Sequence, residues 1–368
     1  MPFKRSAFFD GISNLQYTNG ITMFGKDTYI KRREALQGKL QEGLILLLGN
    51  EEVGMNCRNN QYHFRQDSCF LYYVGLDFPS LTAIIDIDRN ETILFGNEIT
   101  LDDIIWTGPQ PSLSEQAALS GITLVKPYAE VGDYLKKASE SGQFIHFLPP
   151  YRDEHHLKLQ QWLNLTVAES ATRVSTALIK AIVAMRSYKT EEEIAQLDMA
   201  VDISNDMHRL FMRSLQAGVT EAEISGLLHG LALSSGGYIS FPIIMTMNGE
   251  ILHTHARNLA LKAGRLALCD SGAETSMHYI GDLTRAAPVS GTFSSQQKDI
   301  YHIVLKAQQK AFELSKPVVL YKDVHAAAAY SMLEGLKGLN LIKGSVDDAF
   351  ANDAHTLFFP HGLGHMTG

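Results

Sequence analysis

The chain has 368 residues, long enough for two domains, and its 45% hydrophobic and 20% charged content is that of an ordinary globular protein. A net charge of -8 argues against a nucleic-acid or anionic-membrane surface as the main partner, and no run reaches the ~20 apolar residues of a membrane helix. Cys57, Cys69 and Cys269 follow no metal-finger or disulfide spacing, and no apolar leader follows the basic residues at the N-terminus, so the expected location is cytoplasmic.

Residues 1 to about 25 read as an irregular arm, and 31–40 as a short surface helix. Residues 43–48 form an unbroken apolar run closed by Gly49-Asn50, which is the pattern of a buried strand. The Tyr- and Phe-rich run 70–75 is expected as a further strand. Residues 81–87 read as another buried strand with 91–95 as its hairpin partner, and 144–148 as a strand ending at Pro149-Pro150. Strands alternating with helical patches imply a small α/β domain over residues 1–173. Between its strands, Phe64-Arg-Gln-Asp-Ser68 offers Arg65 and Asp67 as an ion pair or a loop clamp, a structural role rather than a catalytic one. A polar helix over 153–165 leads to a domain boundary near residue 173.

The second domain, 174–368, opens with helices. Thr190-Glu-Glu-Glu193 and Thr220-Glu-Ala-Glu223 are capping boxes. Ile194, Leu197, Val201, His208 and Phe211 follow the first near helical spacing, with His208 read as a packed histidine. Ile224, Leu227, Leu228 and Leu231 make the buried face of the second helix, which Gly236-Gly237 ends. Residues 241–247 read as a strand that Asn248-Gly249 turns into a strand bearing His253. Two more helices are expected, at 299–314, stopped before Pro317, and at 324–336, whose alanines suit close packing against a sheet.

The chemistry gathers in this second half. The apolar run from Leu266 to Cys269 ends in Asp270, a second strand-like run leads to Asp282, and Ser271, Gly272 and Ser276 supply turn chemistry between them. A hairpin with one aspartate on each strand brings the two carboxylates together. Unpaired, they repel; a divalent cation removes the repulsion, because hard cations take oxygen ligands. Aspartates at hairpin ends are more often turn formers than ligands, so the pair alone does not decide. His361-Gly-Leu-Gly-His365 adds two histidines in a Gly-rich, extended context, and Ile251-Leu-His253-Thr-His255 adds two more.

Asp270-Ser-Gly-Ala-Glu274, Asp282-Leu-Thr-Arg285, Ile251-Leu-His253 and His361-Gly-Leu-Gly-His365 closely resemble the Xaa-Pro aminopeptidases and prolidases, dinuclear metallopeptidases of the pita-bread fold. The resemblance implies an α+β protein: a small α/β N-terminal domain followed by a pita-bread catalytic domain. In the family, Asp, Asp, His, Glu and Glu hold two divalent metal ions, here expected as manganese. Asp270, Asp282 and His365 match the first three ligands, and His253 and His361 match two histidines that line the site and act on the substrate. The implied activity is metal-dependent release of an N-terminal residue preceding proline, with proline-containing peptides as partners and a homo-oligomer, a dimer, as the assembly. Two departures from the family pattern stand out. The aspartates lie one residue further apart than in its commonest spacing, and the chain ends at Gly368, ahead of where the two glutamate ligands fall. The expectation is therefore a C-terminally truncated, incomplete pita-bread domain with less than full activity. The alternatives are an Xaa-Pro dipeptidase, a non-catalytic pita-bread module that binds peptides or proteins, and a metal-free creatinase-like hydrolase, which the intact Asp–Asp–His set disfavours.

Overall fold

The computed structural model describes residues 23–367, so most of the expected N-terminal arm lies outside the described residues. Two compact units divide at Glu192 and Glu193.

In the N-terminal unit, α1 (Lys26–Gln37) precedes β1 (Leu44–Leu48), the small ribbon β2 (Gly54–Cys57) and β3 (Asn60–Gln61), and α2 (Ser68–Val74). Then come β4 (Thr82–Asp86), β5 (Glu91–Gly96), α3 (Leu101–Thr107), α4 (Leu113–Leu119), β6 (Leu124–Pro127), α5 (Val131–Glu140) and β7 (Ile145–His146). Helices α6 (Asp153–Leu163), α7 (Val167–Thr172) and α8 (Thr176–Arg186) close the unit. The five-stranded sheet has the order β6-β5-β4-β1-β7, and β4 and β5 are the expected antiparallel hairpin. Successive strand residues point to opposite faces, and both faces are covered. Ile45, Leu47, Ala83, Ile85 and Leu94 pack with residues of α1, α2, α4 and α8, while Leu44, Leu46, Ile84, Ile93 and Phe95 pack with α5 and α6. That double burial is why β1 and β4 read as continuous apolar runs. Helix α8 gives Leu178, Ala181 and Ile182 to this core, within the compact unit that ends at Glu192.

Residues 70–75 are not the expected strand. They lie in α2, whose N-cap is Asp67: its carboxylate accepts from the Phe70 N–H at 2.7 Å, and Gly75 ends the helix at φ 76°. The cap and the burial of Phe70, Tyr73 and Val74 override the strand preference of the aromatic side chains. Arg65 bonds the Gln66 carbonyl and the Ser68 hydroxyl, so this stretch acts as a loop clamp.

The C-terminal unit is entered along α9 (Glu191–Ser214), followed by α10 (Glu221–Ser234) and the strands β8 (Tyr238–Ile239), β9 (Ile244–Thr246), β10 (Leu266–Ser271), β11 (Ala273–Glu274) and β12 (Leu283–Pro288). Helices α11 (Ser295–Leu314), α12 (Tyr321–Gly338) and α13 (Val346–Ala351) and a 3-10 turn, Ala354–Leu357, complete it. The main sheet has the order β12-β10-β9, antiparallel throughout, and Ala267 and Cys269 of β10 pack with Met207 and Phe211 of α9 and Ile224 and Leu228 of α10. The capping box of α10 forms as expected, with Thr220 and Glu223 bonding reciprocally.

Four expectations fail here. Along α9 the buried stripe is Ala200, Ile203, Met207, His208 and Phe211, so Ile194 and Val201 face outward. Leu227 of α10 is likewise exposed. After Asn248-Gly249 the chain forms turns and bends, so His253 sits on a loop rather than a strand. The alanines of α12 meet α11 rather than a sheet: Ala328 packs with Ala307 and Ala311, and a methyl built on Gly335 would lie 2.6 Å from Ile303.

Candidate metal and catalytic site

The β10–β12 hairpin brings the two aspartates near each other. Asp270 is directly opposite Thr284, so the two share a face; Asp282 is not on the expected strand but stands just ahead of β12, near enough to Asp270 for their charges to interact. The opposite face of β10, with Ala267, Cys269 and Ser271, is buried, whereas Leu266, Leu268 and Asp270 are half-buried. Close backbone approach fixes the entry to β12. A methyl on Gly281 would sit 2.2 Å from the Ser204 hydroxyl and 2.6 Å from the Ala200 carbonyl of α9. The same Ser204 hydroxyl accepts from the Ala273 N–H at 3.0 Å. His208, the packed histidine of α9, reaches the Ser271 carbonyl at 3.2 Å and holds the hairpin from its buried side.

Asp270 accepts a hydrogen bond from the Thr284 hydroxyl at 2.8 Å. Burial pushes its carboxyl above the ordinary carboxylate range; Thr284 pulls the other way, the Asp282 charge adds to the rise, and His253 and His365 offset part of it. Asp282 Oδ2 lies 3.0 Å from His365 Nε2. Since a carbonyl only accepts, the 3.0 Å contact of His365 Nδ1 with the Met366 carbonyl makes Nδ1 the donor, and a proton on Nε2 then completes an imidazolium facing Asp282. These contacts raise the His365 pKa, the Met366 hydrogen bond most. His361 Nδ1 donates in the same way to the Gly362 carbonyl at 2.8 Å, which leaves Nε2 directed elsewhere. His253 is exposed on its loop, near enough to Asp270 for their charges to interact.

The structure therefore brings Asp282 and His365 into contact and sets Asp270 within electrostatic reach of Asp282, His365 and His253. It does not close them into a cage: among the described residues, no three His, Cys, Asp or Glu side chains are grouped so as to hold a metal ion. The donor set still fits a divalent cation in kind. Two ligand atoms bound at about 2.1 Å and at right angles on one ion lie about 3 Å apart, which is the Asp282–His365 separation. No motif in the sequence assigns a role to Thr284 or Tyr321. The hairpin register would have found Thr284, since it faces Asp270 across the strands; Tyr321, whose hydroxyl lies against Gly364, carried no signal in the sequence.

Residues 195–368 match metallopeptidase family M24, and residues 29–146 match the N-terminal domain of aminopeptidase P. A probable Xaa-Pro aminopeptidase of Chaetomium globosum is 31% identical over 92% of this chain and 56% of its own length. One of Aspergillus niger is 30% identical over 92% of this chain and 73% of its own. The structure of zinc-substituted Escherichia coli aminopeptidase P in complex with product superposes with a TM-score of 0.81 at 28% identity, over 94% of this chain and 81% of that one. The chain thus spans 56% and 73% of the length of these two curated relatives.

Proposed function

This chain belongs to the Xaa-Pro aminopeptidase and prolidase family of M24 metallopeptidases, and from that premise we propose that it is a metal-dependent aminopeptidase releasing an N-terminal residue that precedes proline. The observation that carries the reading is the meeting of Asp282 and His365, 3.0 Å apart, beside Asp270. In this reading Asp270, Asp282 and His365 hold divalent metal, manganese by the family resemblance. Bound metal lowers the pKa of a water and polarises the scissile carbonyl.

The chain's own residues do the rest. Thr284 orients the Asp270 carboxylate by donating to one of its oxygens. Met366 fixes the tautomer of His365, leaving Nε2 turned to the Asp282 side. His361, with Nδ1 engaged by Gly362, offers Nε2 to the substrate; when protonated there it donates to the oxygen that gains charge at the tetrahedral stage. His253 adds a second imidazole beside Asp270. A bond to proline is a tertiary amide with no N–H to hold, so recognition falls on the shape of the ring and on the polarised carbonyl. Because the described donors do not close into a cage, weak metal binding is expected. No helix among the described residues is long and apolar enough to cross a membrane. The proposal extends to a cytoplasmic homodimer acting on peptides, with neither nucleic acid nor membrane as partner.

The test compares fluorogenic Xaa-Pro and Xaa-Ala peptides with manganese present. Preferential release before proline, abolished in Asp282→Ala and lowered mainly in kcat in His361→Ala, is the expected result. Equal or better cleavage of Xaa-Ala overturns the proline assignment. No cleavage of either with metal bound favours a peptide-binding module.

A further inference from the structure

The segment carrying His361 and His365 has little backbone support. Among the described residues, the last backbone-to-backbone hydrogen bond runs from the Phe359 N–H to the His355 carbonyl, at 2.8 Å. The hydrogen bonds of His361 and His365 to the carbonyls of Gly362 and Met366 are local, and they set tautomers rather than the place of the segment in the fold. Side-chain packing on the start of α12 holds it instead. Phe359 stacks on His325, with ring centres 5.1 Å apart and planes at 27°. Leu363 packs on the cluster of Ala307, Ala311, Val324 and Ala328. A methyl on Gly364 would lie 2.8 Å from the Tyr321 hydroxyl. Tyr321, Val324, His325 and Ala328 recur at the spacing of a single helix face, so the first two turns of α12 form a cradle for this segment.

We infer that His325 is a positioning residue for His361, acting through the ring of Phe359; the inference rests on the catalytic reading of His361 given above. Phe359 meets the His361 ring edge to face, with centres 4.8 Å apart and planes at 83°. His325 is held in turn from behind. His355, only 8% exposed, lies 6.3 Å from it and stacks at 5.4 Å on Phe350, which packs against Tyr330 of α12 at 5.8 Å. The rings form one column from α12 and α13 to His361, and His325 is the member that passes the position of the helix to the segment. Such pairs favour specific offset and edge-to-face geometries, so a ring fixed on one side orients the ring on the other. Imidazole and benzene rings both serve this purpose, and a methyl group does not.

The test labels the full chain with carbon-13 in its histidine rings and follows the His361 C–H signal by NMR, assigned by its loss in His361→Gln. Stacking against Phe359 displaces that signal through the ring current. His325→Ala is expected to move it towards the value in Phe359→Ala, while His325→Phe leaves it in place. With the peptide assay, His325→Ala lowers kcat by about 10- to 100-fold with little change in KM, and His325→Phe restores kcat. A His361 signal unmoved by His325→Ala overturns the inference, whatever Phe359→Ala does; should His325→Ala fail to fold, a signal unmoved by Phe359→Ala does so. Absence of peptide cleavage by the unmodified chain counts against the aminopeptidase reading, and the ring signal then still decides whether His325 positions His361.

Discussion

In the N-terminal sheet, the apolar residues of β1 and β4 are packed on both faces: Ile45, Leu47, Ala83 and Ile85 on one side, Leu44, Leu46 and Ile84 on the other. In the C-terminal sheet, β10 buries only Ala267, Cys269 and Ser271, and its other side ends in Asp270. The same strand period thus builds two different objects. A sheet covered on both faces serves as scaffold, and its one buried carboxylate, Asp86 of β4, is tied up by Tyr134, Gln143 and Arg89. A sheet covered on one face presents every second residue to chemistry, at a cost in stability, as the raised pKa of the Asp270 carboxyl shows. Coverage is thinner in the helices as well. Ile300, Val304 and Phe312 of α11 stay 40%, 55% and 70% exposed, while Ala307 and Ala311 are buried against α12.

The largest effect separating the two units is expected in the covered sheet. Phe95→Ala removes a fully buried ring from β5 and is expected to cost about 3–5 kcal/mol. Both tryptophans, Trp106 and Trp162, belong to the N-terminal unit, so tryptophan fluorescence during urea unfolding reads that unit. An unchanged fluorescence midpoint would break the contrast.

Next comes Gly281→Ala, which drives a methyl into Ser204 and the Ala200 carbonyl. Such overpacking costs about 1–3 kcal/mol. It is expected in the circular-dichroism transition and in metal binding, because Asp282 follows directly, and not in the fluorescence transition. A loss confined to fluorescence would assign the effect to the wrong unit.

A smaller effect, shared by both units, is a dependence on pH. Burial lowers the pKa of His155 in the first unit, with Lys158 adding to the effect, and burial lowers that of His208 in the second. A histidine with a depressed folded pKa is neutral in both states above about pH 6.5. Below that the unfolded chain takes the proton first, so stability is full above pH 6.5 and declines as the pH falls through the folded value. His155→Gln should flatten the decline seen by fluorescence, and His208→Gln that seen only by circular dichroism. Stability rising between pH 6.5 and 5.5 would contradict the sign.

How much of this was legible in the sequence follows from the same contrast. β1, β4 and β5 could be read because burial on both faces leaves unbroken apolar runs. Asp270 could be read because it closes the apolar run of β10, whereas Asp282 precedes its strand, β12, instead of ending the run before it. α2 was missed because aromatic side chains suit strands, while the decisive signal was Asp67, one residue ahead, acting as a cap. The stripe on α9 was misplaced because Ile194 and Val201 are apolar yet outward-facing, while the polar Ser204 faces inward to bond the hairpin backbone; His208, expected as a packed histidine, does face inward. The cradle for His361 was invisible, since Tyr321 and His325 meet Gly364 and Phe359 only through the tertiary packing of α12.

The central claim is that the half-covered face of the hairpin holds divalent metal through Asp282 and His365. Calorimetric titration of manganese into the full chain and into Asp282→Ala tests it most directly. The account predicts weak binding that disappears in Asp282→Ala. Binding that survives Asp282→Ala unchanged, or tight binding of two ions per chain, would contradict it.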